Sequence, residues 1–143
     1  MMLTNDYVVG LADGEGSFTV YVRNPDDSRK RERRVRAEPK FFVKLIEKDK
    51  VILDGLKDFF GCGSVYFQKD ARANHQQCYR YEVSNREDLG RIIIPFFTKH
   101  GLHFPSKRKD FEIFCDLFAR IKNGEHTTEG GLKNLWQIKQ MMH

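Results

Sequence analysis

Val8-Val9-Gly10-Leu11-Ala12-Asp13-Gly14-Glu15-Gly16-Ser17-Phe18 is the stretch on which the reading of this chain turns. An apolar run ends in two carboxylates one residue apart, set among glycines, and period-two alternation begins at once. Asn5 or Asp6 can cap a helix from Tyr7 to Gly14. Gly10 and Gly14 are four apart and share a face. A glycine in a helix costs about 1 kcal/mol relative to alanine, so two on one face point to close backbone approach by another helix. A helix C-terminus carries partial negative charge, which disfavours Asp13 and Glu15 unless something compensates. A bound cation would, and hard oxygen ligands suit Mg²⁺. Taken without its flanks, the same segment also reads as a solvated acidic turn.

Working outward, Ser17, Thr19, Tyr21 and Arg23 alternate with Phe18, Val20 and Val22, which predicts a strand with one wet side. Asn24 to Ser28 is a turn. A second strand is predicted from Val35 to Leu45. Arg36, Glu38, Lys40 and Lys44 share one side of it, and Ala37, Phe41, Val43 and Leu45 the other. Phe42 interrupts the polar side, and Pro39 points to an edge or a bulge. Glu47 to Phe60 reads as a helix stopped by Gly61. Val65 to Lys69 and Gln77 to Ser84 form a hairpin. A short helix capped by Ser84 or Asn85 has Pro95 near its end. After a loop from His100 to Pro105, Ser106 starts a helix to Asn123 with Phe111, Phe114, Cys115, Phe118 and Ile121 in one stripe. A last helix from Thr127 or Thr128 carries Leu132, Leu135 and Trp136. The expected fold is α+β, one domain over residues 1–143, with an antiparallel four-stranded sheet. Helices cover its apolar face, and no element is left to cover its polar, basic face.

The chain has 143 residues, 40% apolar and 31% charged, which argues against disorder. No apolar run approaches the ~18 residues of a membrane span, and the first residues lack a signal peptide's features. An intracellular protein with no membrane partner is expected, in cytoplasm or nucleoid if bacterial or archaeal and in an organelle matrix if organellar. Cys62, Cys78 and Cys115 are odd in number and widely spaced, as reduced thiols would be. His100-x-x-His103 falls in a loop and reads as incidental. Of the net +5, eight cations against four anions between Arg23 and Lys40 supply most. That is either the footprint of a polyanion, most simply nucleic acid, or a solvated loop.

With its flanks, Val8–Gly16 resembles the LAGLIDADG motif, and the chain is similar to a single-motif LAGLIDADG homing endonuclease. The resemblance extends through the following strand, the Phe41–Phe60 strand and helix, the turn Gly61-Cys62-Gly63-Ser64-Val65, and Pro95-Phe96-Phe97 to Lys107-Arg108-Lys109-Asp110-Phe111, in αββαββα order. It implies a group I intron or other mobile-element protein that cuts double-stranded DNA at a long pseudo-palindromic target. It implies Mg²⁺ (or Mn²⁺) held by Glu15 and the Gly14 carbonyl, with Glu15 a catalytic residue and Lys107 a second one, aligned with a basic residue near the scissile phosphates. One motif implies a homodimer, with Gly10, Asp13 and Gly14 on the face where two helices pack. Val8-Val9 replaces Leu-Ala, and Glu15 stands where the family name has Asp. Leu45 lies where some relatives carry a polar, water-positioning residue.

Recognition is expected from the polar sheet face: Ser17, Thr19, Tyr21, Arg23, Arg36, Glu38, Lys40, Gln68, Arg80 and Glu82. Arg29, Lys30, Arg31, Arg33 and Arg34 are expected on phosphates at the outer flank. The alternative is a non-catalytic nucleic-acid-binding module, an intron RNA maturase or a DNA-binding regulator, which Leu45 supports. A purely structural interaction domain leaves the basic face unexplained.

Overall fold

Gly16 lets a strand leave a helix with no loop between them. In the computed structural model, which describes residues 2–26, 36–69 and 76–143, α1 (Asn5–Glu15) runs directly into β1 (Gly16–Val22). A Cβ on Gly16 would stand 2.8 Å from the Ala12 carbonyl oxygen, so the junction has no room for a side chain. The cap of α1 is Thr4, ahead of the expected Asn5 or Asp6: its hydroxyl accepts from the Tyr7 N–H at 3.2 Å.

The order continues with β2 (Ala37–Ile46), a 3₁₀ turn (Glu47–Asp49), α2 (Lys50–Phe60), β3 (Ser64–Gln68) and β4 (Cys78–Val83). Then come α3 (Arg86–Asp88), a π turn (Leu89–Ile93), α4 (Ile94–His100), α5 (Pro105–Lys122), a 3₁₀ turn (Glu125–Thr127) and α6 (Glu129–Lys139). This is the expected α+β, αββαββα fold, with an antiparallel four-stranded sheet in the order β1-β2-β4-β3. Gly61 (φ 69°) ends α2, and Gly63 (φ 87°) passes so close to the Tyr81 ring that a Cβ would meet it at 2.7 Å.

Pro39 lies in β2, an inner strand of the sheet, but the β2–β4 register begins only at Phe41↔Val83, so that side of β2 is a local edge at Pro39 and the missing N–H costs no bond there, in keeping with the expected edge or bulge. Pro95 does not end its helix, which runs on to His100. The preceding turn is a π turn in which the Ile94 N–H reaches the Leu89 carbonyl, and Pro95 enters at the first turn of α4, where no N–H is needed.

The described residues form two compact units, one from residues 1–17 and 40–104, the other from residues 18–39 and 105–143. The first buries Val8, Val9, Ala12, Phe41, Val43, Leu53, Leu56, Tyr81, Val83, Leu89, Ile93 and Phe97. Phe41, Phe59, Phe60, Phe96 and Phe97 pack there edge to face at ring separations from 5.0 to 6.5 Å. The Tyr81 hydroxyl donates to the Cys62 carbonyl at 2.9 Å.

In the second unit Phe18 meets Phe111 and Phe114 at 5.0 and 5.5 Å. The buried stripe of α5 is Phe111, Phe114, Leu117 and Ile121. Cys115 and Phe118, expected in it, are half-buried on its flank. All three cysteines are free. Burial, then the Glu112 charge, pushes the Cys115 thiol up to about 11. Because the thiolate is the nucleophile, Cys115 is expected to alkylate about ten- to a hundredfold more slowly in the native than in the denatured protein. Mass spectrometry over a time course checks this, and equal rates would contradict it. Among the described residues no helix is long and apolar enough to cross a membrane.

Candidate functional site

The acidic elbow separates into residues that face out and one that faces in. Val8, Val9, Ala12 and Asp13 are the buried residues of α1. Gly10 and Gly14 are exposed, and among the described residues nothing stands within 4 Å of a Cβ built on either. Tyr7 is exposed three residues before Gly10 and so joins that face, a residue the sequence reading passed over. Glu15, the last residue of α1, is also exposed.

Asp13 does not lie with the glycines, contrary to expectation. It is 4% exposed, and its carboxylate accepts from the backbone N–H of His103 at 2.9 Å and of Phe104 at 3.2 Å. The His103 ring Nδ1 lies 3.2 Å from the same carboxylate. Asp13 therefore fastens the loop after α4 to α1. The His103 ring stands at Asp13, and the His100 ring packs on Phe96 at 4.6 Å.

Among the described residues no group of three or more His, Cys, Asp or Glu side chains is placed to hold a metal ion. What the elbow offers is the exposed Glu15 carboxylate and the Gly14 carbonyl, in the last turn of the helix, where the Ala12 carbonyl already accepts from the Gly16 N–H. Both are hard oxygen donors at the negative end of a helix dipole, a donor set that fits Mg²⁺ in part and leaves its remaining positions to water, phosphate or a second copy. Leu45, half-buried near the end of β2, is paired with Tyr79. Lys107 is half-buried in the first turn of α5.

On the polar side of the sheet, Ser17, Thr19 and Tyr21 are half-exposed between buried neighbours, as alternation requires, and so is Glu38. Arg23 departs from them. Its side chain is 1% exposed and donates to the Glu129 carboxylate at 2.8 Å. The alternation ends with β1 at Val22, so the parity that placed Arg23 on the wet face no longer applies, and a buried guanidinium requires an anionic partner. Arg36 donates to the Thr127 carbonyl at 2.7 Å. Arg29, Lys30, Arg31, Arg33 and Arg34 lie outside the described residues.

In the first unit the polar face is a connected cluster. Glu82 accepts from the Tyr66 hydroxyl at 3.1 Å and from Arg80 at 3.4 Å, with the Lys40 ammonium at 3.9 Å. Arg80 Nε donates to Gln68 at 2.9 Å. Burial first, and then the Glu82 charge, pushes the Tyr66 phenol up. Lys40, Gln68, Arg80 and Glu82 are thus brought together on one face. Tyr66 and Phe42 complete the cluster and had been assigned no role.

Comparison with known proteins supplies the lineage of this arrangement. The crystal structure of the homing endonuclease I-TnaI superposes with a TM-score of 0.81 at 34% identity, covering 100% of this chain and 90% of that one. The structure of I-SmaMI bound to an uncleaved DNA target in the presence of calcium ions gives a TM-score of 0.81 at 32% identity over 99% of this chain and 45% of that one. A probable intron-encoded endonuclease of Neurospora crassa is 30% identical over 99% of this chain, which spans 29% of that protein's length. The profile of the LAGLIDADG endonuclease family matches residues 8–118. The chain belongs to the LAGLIDADG endonuclease family.

Proposed function

We propose that the chain is a site-specific double-strand DNA endonuclease, with residues 1–143 acting as one endonuclease domain inside the cell. It works as a homodimer on a long pseudo-palindromic target, with Mg²⁺ or Mn²⁺. The observation that carries this reading is Glu15 exposed at the last residue of α1, next to a bare face at Gly10 and Gly14. Two copies joined through that face bring two Glu15 carboxylates together at a dyad, one for each strand of the duplex. Tyr7, on the same face, would lie in the joint.

The Glu15 carboxylate and the Gly14 carbonyl would hold the divalent ion, which supplies charge relief on the phosphoryl oxygens and a more acidic bound water. Asp13 holds the elbow's backbone in place through its two amide contacts. Lys107 adds positive charge near the scissile phosphates. Ser17, Thr19, Tyr21, Glu38, Lys40, Gln68, Arg80 and Glu82 meet base edges in the major groove. Arg29, Lys30, Arg31, Arg33 and Arg34 meet phosphates, adding affinity without sequence preference. With Leu45 apolar at the end of β2, solvent rather than a side chain orients the attacking water.

The apolar Leu45 favours one other reading, a non-catalytic module such as an intron RNA maturase or a DNA-binding regulator. Joining the two sequences that flank the gene into one duplex tests both. Cleavage near the junction with Mg²⁺, and binding without cleavage with Ca²⁺, are expected. Binding without cleavage in either metal, or in Mn²⁺, would refute the nuclease and make the intron RNA the next ligand to measure.

A further inference from the structure

Phe42 stands on β2 between Lys40 and Lys44, where alternation places a polar side chain, and it is half-buried, not part of the core. Its ring carries the Arg80 guanidinium, whose central carbon lies 3.8 Å from the ring centroid. So short a distance admits face contact only, because ring hydrogens hold an edge-on cation farther away. In the register Arg80 is opposite Lys44 on β2 and Tyr66 on β3, while Phe42 is opposite Glu82. Arg80 therefore reaches Phe42 along the diagonal of the sheet. Gln68 takes its Nε–H at 2.9 Å, and Glu82 lies 3.4 Å from Nη1. The Tyr66 hydroxyl also lies against the Arg80 guanidinium, and the Arg80 side chain is 20% exposed.

We propose that Phe42 is a positioning residue for base recognition: it fixes Arg80 so that its Nη edge meets a guanine in the major groove of the bound duplex. The inference rests on the reading of this face as DNA-binding. Arginine reads guanine through two parallel N–H donors to O6 and N7, so the direction of the fork determines the contact. A free arginine would lose rotamer freedom on binding. Ring, amide and carboxylate contacts hold Arg80 in one place before DNA arrives, which lowers that cost. The Glu82 carboxylate beside the fork repels phosphate, so Arg80 is suited to a base edge and not to the backbone.

Selection of the full-length chain on a pool of randomised DNA duplexes in Ca²⁺, followed by sequencing of the bound fraction, tests this. Wild type is expected to select guanine at one position of each half-site. Arg80→Ala is expected to lose the preference at that position alone. Phe42→Ala is expected to weaken the same preference about tenfold and leave the others intact, while Phe42→Tyr, which keeps the ring, retains it. The inference is overturned if Phe42→Ala selects as wild type does, or if it flattens all positions equally, as a merely structural defect would. A wild-type preference that survives Arg80→Ala at every position also overturns it, and leaves the DNA reading standing. A wild type with no sequence preference at all refutes the DNA reading itself and this inference with it.

Discussion

Glu15→Gln is expected to lower DNA cleavage by at least about 10²–10³-fold while leaving duplex affinity in Ca²⁺ within a fewfold of wild type. The substitution keeps size and hydrogen-bonding capacity and removes the charge that would hold the divalent ion. Glu15 is exposed at the last residue of α1 and makes none of the contacts that close the elbow, so the fold has little stake in it. Stability is expected to change by no more than about 0.5 kcal/mol. Single-turnover cleavage, duplex binding and a thermal melt on the same preparation check all three. A variant that cuts at the wild-type rate would remove Glu15 from the reaction, and a large loss of melting temperature would make it structural.

Asp13→Ala, two residues away, is expected to show the opposite pattern. Asp13 is 4% exposed and accepts from two backbone amides, those of His103 and Phe104. Hydrogen bonds to a charged group contribute about 1.5–3 kcal/mol each, and amides left without a partner add a desolvation cost. A loss of roughly 3 kcal/mol is expected, which for a chain of this size lowers the melting temperature by on the order of 10 °C. Asp13→Asn should recover part of it, since the amide oxygen still accepts. An alanine variant that melts with wild type would show that the two amides find solvent instead.

That contrast also shows where sequence alone was sufficient. β1 was legible because one face is wet and the other dry, so chemistry repeats every second residue. The end of α2 was legible because Gly61 can adopt a positive φ that other residues rarely do. The position of Asp13 carries its burial: it is four residues after Val9 and so belongs to the buried side of α1, not to the glycine face that resemblance to a packing motif implies. Arg23 was beyond the reach of local pattern, because its partner Glu129 is 106 residues away and nothing near Arg23 announces it. Arg80 was placed on the correct side of its strand, but the diagonal contact with Phe42 depends on a register that alternation cannot supply. The positions of the elbow and the polar face were therefore readable from composition and period. Which side chains are tied to one another was not, since those ties run between segments distant in sequence.

The interleaving of the two units has a spectroscopic consequence. The chain has a single tryptophan, Trp136, and it lies in the unit formed by residues 18–39 and 105–143. Tyr7, Tyr66, Tyr79 and Tyr81 lie in the other unit, with Tyr21 the exception. Indole emission is thus a gauge of one unit and tyrosine absorption mainly of the other. A melting curve recorded at one wavelength describes the whole molecule only to the degree that the two units unfold together.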